Sequence, residues 1–322
     1  MADTIKKLLK SESSASLTAL IAVLVVFTAI NDRFVSRLNV EGVIVSASIS
    51  AIVSLGMTLV IAMRALDLSV GSIMGFTAII SAKLLAQGVP LPFVLAIGLV
   101  AGCCLGLANG LLITFFRLPS FVATLATLSV ILGASLLVTS GATVTIHDST
   151  LSQIVIGRVL GLVPSAALIA ATAFLLVTMI FWRTPFGRHV AAIGGETRAA
   201  IGAGINVTAV TIGVFMISGS LAAVAGMMTA GMLQNADSTI GAGAELIAIA
   251  VVVVGGTSLM GGRGNLIGTM LAALLLASIK SGLNIVNVPS LYEGLIFGGI
   301  LIIALMIDGL RRTGRRKGML VV

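Results

Sequence analysis

No charged residue occurs between Lys83 and Arg117, between Arg117 and Asp148, or between Arg198 and Asp237. Apolar runs of about 18 residues or more read as membrane-spanning helices, because a helix satisfies its backbone polar groups without water. Only 9% of the residues are charged, against roughly 25% in a soluble domain. The runs are continuous rather than alternating, which excludes a β-barrel. The sequence therefore predicts an all-α, polytopic membrane protein forming one transmembrane domain over 1–322. About ten spans are expected, near 16–31, 42–63, 70–88, 92–115, 119–140, 161–182, 208–233, 244–262, 264–286 and 290–308.

A net charge of +8 would suit a nucleic-acid partner, but its distribution argues against one and for a membrane. With a cytoplasmic N-terminus, 14 of the 19 basic residues fall inside: Lys6, Lys7, Lys10, Arg64, Arg117, Arg183, Arg188, Arg198, Arg263, Arg311, Arg312, Arg315, Arg316 and Lys317. Arg33, Arg37, Lys83, Arg158 and Lys280 fall outside. The positive-inside rule then places both termini in the cytoplasm. The segment 1–15, the loop 183–207 and the basic tail 309–322 share that side, and 141–160 and 234–243 lie opposite. Residues 141–160 carry an apolar stripe of Leu151, Ile154 and Val155, which suits a short interfacial helix. All six prolines fall in connections or first helical turns, where the missing N–H is harmless. Glycines four apart, such as Gly98, Gly102, Gly106 and Gly110, let helices approach closely in lipid.

The polar residues concentrate in two breaks. "RALDLSVGSIMG" (64–75) places an arginine, an aspartate and two serines between apolar runs. A carboxylate at membrane depth needs a partner or water, and Arg64 stands three residues from Asp67, on the same helical face. One reading is an Arg64–Asp67 ion pair, with Ser69 as a helix cap and Gly71 for packing. The other is an interrupted helix whose backbone and hydroxyls line a wet cavity. "VVVVGGTSLMGGRGNLIG" (251–268) is the second break. Leu66, Gly71 and Gly75 align with Leu259, Gly264 and Gly268 at one offset, a weak internal repeat of the kind that marks transport pathways. The glycines near Thr257 and Ser258 do not form a phosphate loop, since G-x-x-x-x-G-K-[ST] is absent.

The loop 183–207 reads as a short helix with Glu196 in its first turn, where the helix dipole favours a carboxylate. Its small residues give a low-relief face suited to docking in a partner's groove. His147, His189 and the adjacent Cys103 and Cys104 lack metal-ligand spacing, so no metal, cofactor or catalytic site is expected.

Four stretches, "LDLSVGS", "NGLLITFFRLPSFVATLATL" (109–128), "TPFGRHVAAIGGETRAAIGAGINV" and "ELIAIAVVVVGGTSLMGGRGNLIGT", resemble the membrane subunits of ribose, xylose, arabinose and galactoside ABC importers. The resemblance runs from the second span to the last; branched-chain amino-acid permeases are more distant relatives. It implies a permease subunit of a bacterial inner-membrane importer for a monosaccharide. Its implied partners are a cytosolic ATP-binding subunit, a second permease copy or paralogue, and a periplasmic sugar-binding protein. Candidate pathway residues are Asp67, Ser69, Gly71, Ser72, Asn109, Thr257 and Ser258. The ATPase contact is expected at Gly194, Gly195, Glu196, Arg198, Ala199, Ala200 and Gly204. The binding-protein contact is expected at Gln234, Asn235, Asp237 and Ser238. Glu196 stands where ribose-type members more often carry asparagine. The alternatives are a proton-coupled secondary transporter using Asp67 or Glu245, or an importer of another small solute such as a branched-chain amino acid or a nucleoside.

Overall fold

The apolar runs fold as helices, as a chain with few competing polar groups must when its backbone bonds are satisfied internally. The computed structural model describes residues 14–300 apart from Leu160 and Leu162, together with 302, 303 and 306. In chain order the helices are α1 (Ser14–Ile30), α2 (Arg37–Ala62), α3 (Val70–Ala86), α4 (Leu91–Phe115), α5 (Ser120–Thr139) and α6 (Ser149–Ile156). There follow α7 (Ser165–Thr178, continued by a π-helical turn Met179–Arg183), α8 (Pro185–Gly195), α9 (Thr197–Gly202), α10 (Val207–Leu233), α11 (Ala244–Val254) and α12 (Leu266–Ile285). Two two-residue antiparallel ladders join β1 (Val144–Thr145) to β4 (Asn235–Ala236) and β2 (Arg158–Val159) to β3 (Val163–Pro164).

Six helices are long and apolar enough to cross a membrane: α2, α4, α5, α7 with its π turn, α10 and α12. The apolar helices α1, α3 and α11 are shorter. The expected span 244–262 ends early, at Val254, because Gly255 and Gly256 follow and Gly256 adopts φ +90°, a left-handed stop that glycine takes without strain. The span expected from 161 begins at Ser165, since the β2–β3 hairpin occupies the preceding residues. The tenth expected span, 290–308, is described only in part, as a turn at Ser290–Tyr292 and helical residues 293–300, 302, 303 and 306. Residues 1–13 and the tail 309–322 lie outside the described residues.

Helix α2 is the axis. Its most apolar stretch is 83% buried, against 22% for α4 and for α5, so the other helices wrap it. It also defines the two ends of the bundle. At its start Arg37 and Arg158 both pair with Glu41, and Arg37 Nη2 donates to the Gly161 carbonyl. At its finish Gly262 N donates to the Ala62 carbonyl at 2.8 Å. The short helix expected in 141–160 is α6, capped by Asp148, which accepts from Thr150 N. Leu151 and Val155 are buried there while Ile154 is exposed, so the stripe is narrower than expected.

The glycine ladder of α4 packs on α10. A Cβ at Gly106 would overlap the Phe215 carbonyl, and one at Gly102 would meet Ala223 Cβ and the Gly219 carbonyl. Close backbone approach through small residues is how helices associate where lipid supplies no hydrophobic drive. Gly133 on α5, by contrast, has nothing within 4 Å of a Cβ. Gly106→Val is expected to destabilise the bundle by about 1–3 kcal/mol through overpacking. Gly133→Val is expected to be neutral. Thermal unfolding of the two variants in detergent compares them, and equal melting temperatures would contradict the close packing of α4 on α10.

Candidate functional site

Between α2 and α3 the chain leaves the helix for seven residues. Arg64, at φ +66°, ends the helix; Ala65 N still donates back to the Val60 carbonyl at 3.0 Å, and the N–H groups after it need partners outside the helix. Two are met from α5 and one from within the break itself. Leu66 N donates to Ser120 Oγ and Leu68 N to Thr124 Oγ1, both at 3.1 Å. Ser69 N donates to Asp67 Oδ1 at 3.0 Å. Buried backbone groups left unmet would cost several kcal/mol each in a lipid-like medium, so these side chains decide whether the break can exist at depth.

Asp67 is the hub. Ser69 Oγ donates to its Oδ1 at 2.6 Å, and Ser218 Oγ of α10 to its Oδ2 at 2.9 Å. Ser69 Oγ in turn accepts from Asn109 Nδ2 of α4 at 2.7 Å, and Asn109 Oδ1 accepts from Thr127 Oγ1 of α5 at 2.7 Å. One chain of hydrogen bonds thus ties α4, α5 and α10 to the break. The expected ion pair with Arg64 is not formed: Asp67 is fully buried while Arg64 is exposed. The reason is backbone geometry, since the left-handed turn at Arg64 removes the three-apart helical register that would have brought the two together. Asp67, Ser69 and Asn109 have no exposed surface, so in this conformation they face one another rather than an open cavity. Ser120, Thr124, Thr127 and Ser218 complete the site and were not singled out from the sequence. Each is a hydroxyl within an apolar run, and nothing local marks its distant partner.

The next turn of α3 meets the loop from the opposite end of the bundle. A Cβ at Gly71 would overlap the Gly241 carbonyl and the Glu245 carboxylate. Residues 234–243 therefore descend from the end of α10 until the first turn of α11 abuts the first turn of α3. Glu245 is half-buried there, and Ser72, also half-buried, bonds the Ser69 carbonyl. Gln234 is exposed, and Asn235, Asp237 and Ser238 are half-buried. The Thr239 hydroxyl bonding Asp237 at 2.6 Å holds that carboxyl below the ordinary carboxylate range.

The second break, 255–265, closes on itself. Thr257 Oγ1 accepts from Asn265 N at 2.9 Å, and Asn265 Nδ2 donates to the Gly255 carbonyl at 2.8 Å. Thr257 is buried and Ser258 half-buried. This break packs on the loop between α7 and α10. That loop holds two helices rather than one, because Glu196 is extended at φ −153° and caps α9, its carboxylate accepting from Arg198 N. Glu196 is thus a cap and not a first-turn residue. Gly195, Glu196, Arg198, Ala199 and Gly204 are exposed, whereas Gly194 and Ala200 are buried. A Cβ at Gly194 would overlap the Ala62 carbonyl and crowd Gly262 N. Three segments far apart in sequence meet at that point: the end of α2, the end of α8 and the second break.

The chain is 36% identical over 291 residues to the ribose import permease protein RbsC of Bacillus subtilis (strain 168), which covers 90% of each chain. It is 34% identical over 309 residues to the autoinducer 2 import system permease protein LsrC of Photorhabdus luminescens, covering 95% of this chain and 93% of that one. It is 32% identical over 284 residues to the L-arabinose ABC transporter permease protein AraH of Azospirillum brasilense, covering 88% and 83%. No solved structure matches it. Residues 39–305, from α2 to the last described helical residues, match one family model, and the chain belongs to the branched-chain amino acid transport system / permease component family.

Proposed function

We propose that this chain is the permease subunit of a bacterial inner-membrane ABC importer for a monosaccharide or a similar small polyhydroxylated solute. The observation that carries the reading is near-full-length similarity to permeases named for ribose, arabinose and autoinducer 2 import. ATP is hydrolysed on a partner chain. A periplasmic binding protein delivers the solute, and a second permease, identical or paralogous, completes the path. The basic end holding α8 and α9 faces the cytoplasm, with residues 234–238 opposite at the binding-protein side. Hydroxyls, amides and backbone groups around the first break suit a neutral solute, which needs transient hydrogen bonds and little charge.

Coupling follows from the packing. The exposed face of α9 (Arg198, Ala199 and Ile201, with the cap Glu196) meets the ATPase. Helix α8, which leads into α9, rests through Gly194 on the Ala62 carbonyl. Close-packed contacts transmit displacement because they have no slack, so movement of α8 and α9 reaches the end of α2 and the break that follows. Arg198→Glu combined with Ala199→Trp is expected to abolish co-purification of the ATPase and solute-stimulated ATP hydrolysis while leaving detergent stability unchanged. Ala200→Trp, on the buried side, is expected to destabilise the fold by about 1–3 kcal/mol. Normal transport by the double variant would refute this assignment of the loop.

Asp67 serves as an anchor of the break rather than as a proton carrier. Asp67→Asn removes one acceptor from a fully buried network, which costs about 1–3 kcal/mol, and uptake is expected to fall by a similar factor at every pH tested. A variant that keeps its rate and loses only the proton dependence of uptake would favour a proton-coupled secondary transporter instead. Uptake that survives ATP depletion but stops when the proton gradient collapses would say the same.

A further inference from the structure

Helix α7 packs on α2 and leaves a groove of about 840 Å³ between itself, α4 and α10, within the size range of ligand sites (roughly 300–1,000 Å³). The rows Leu168/Ile169, Thr172/Ala173 and Leu176/Val177, then Ile180, form one wall, and Phe186 of α8 stands among the lining residues. The groove's two hydroxyls are already used. Thr172 Oγ1 donates to the Leu168 carbonyl and Ser220 Oγ to the Met216 carbonyl, each at 2.8 Å within its own helix. Nothing there offers a sugar the hydrogen bonds it would lose from water, so the groove is no part of a solute path. It suits hydrocarbon. From Leu168 to Ile180 it runs about 18 Å at the helical rise, close to one leaflet of a hydrocarbon core about 30 Å thick.

One end of the groove is charged. The wall row that ends at Ile180 leads into Arg183 three residues on, at the close of the π-helical turn, and Arg183 is exposed; Arg188, two residues from Phe186, lies on the other side of α8. Arg183 has no ion-pair partner among the described residues, and α4, α7, α8 and α10 contain no carboxylate. We propose that this groove is a specific site for an anionic glycerophospholipid, with one acyl chain lying along α7 and the phosphate held by Arg183. Hydrocarbon fills the groove by matching its lining, and the uncompensated cation selects the headgroup.

The chain supplies its own reporter, because its single tryptophan, Trp182, precedes Arg183 and is 48% exposed. The full chain is reconstituted in phosphatidylcholine vesicles in which a minority of the lipid is either brominated phosphatidylglycerol or brominated phosphatidylcholine. Trp182 quenching is read as the brominated fraction rises. The site predicts that phosphatidylglycerol saturates quenching at a lower fraction, with the preference falling about fivefold for Arg183→Gln and unchanged for Arg188→Gln. Thr172→Phe, which fills the groove from an exposed position, is expected to remove the saturable component with both arginines in place. Ser220→Phe on α10 repeats that test from the other wall. Equal quenching by the two lipids would overturn the proposal, leaving only annular lipid. So would a preference untouched by both filling variants, which would place the anion elsewhere, or copy-to-copy cross-linking through Thr172→Cys in a chain whose free Cys103 and Cys104 are replaced by serine, which would give the groove to a second copy.

Discussion

Seven residues of non-helical backbone, 63–69, pass between two helices of an apolar bundle, and the N–H groups that leave the helical ladder there must find partners in the protein wherever they are buried. The hydroxyls of Ser120 and Thr124 and the carboxylate of Asp67 receive the N–H groups of Leu66, Leu68 and Ser69. Those acceptors must then be held in place. Asp67 is fixed by Ser218, Ser69 by Asn109, and Asn109 by Thr127. Each added partner sits on a different helix, so satisfying one segment of backbone also fixes the mutual register of α4, α5 and α10. A fully satisfied buried network specifies one arrangement, because any slippage leaves several groups unmet together.

The glycines act on the same segment by a second means. Gly71 admits the Gly241 carbonyl and the Glu245 carboxylate against the first turn of α3, and Gly194 admits the Ala62 carbonyl against the end of α8. Lipid-facing helices gain nothing from hydrophobic exclusion of one another, so contact must come from shape. Without a Cβ, the backbones meet at distances that no larger residue permits.

Much of this was legible in the sequence, and the limits have physical causes. Apolar runs bounded by charge located the helices, because hydropathy over a whole span is a large signal. The end of α11 was obscured because Leu259 and Met260 keep the run apolar beyond the glycines that stop it. The importance of Asp67 showed in its position, but its partner did not. Arg64 is three residues away along an ideal helix, whereas the donors are Ser69, two residues on, and Ser218, which is 151 residues away in the chain and looks like any serine in an apolar run. In the loop at 183–207 the run of small residues was plain. Which of them face inward was not, since that depends on the extended Glu196 that separates α8 from α9.

The position of the break gives it reach toward both ends of the bundle. The loop 234–243 starts at the end marked by Glu41 and descends to Gly71, two residues after the break. From the other end, α8 reaches Ala62 through Gly194, and Gly262 donates to the same carbonyl. A displacement at either end therefore arrives on a flank of residues 63–69 through backbone-to-backbone contact, which cannot be absorbed by a change of rotamer. The break itself is not helical and can change its dihedrals without tearing an i→i−4 ladder, while the helices it joins stay intact. Rigid flanks around a satisfied but irregular centre have few alternatives to the present arrangement. Any other arrangement has to re-pair Asp67's donors as a set, because each buried group left unmet costs about 1–3 kcal/mol.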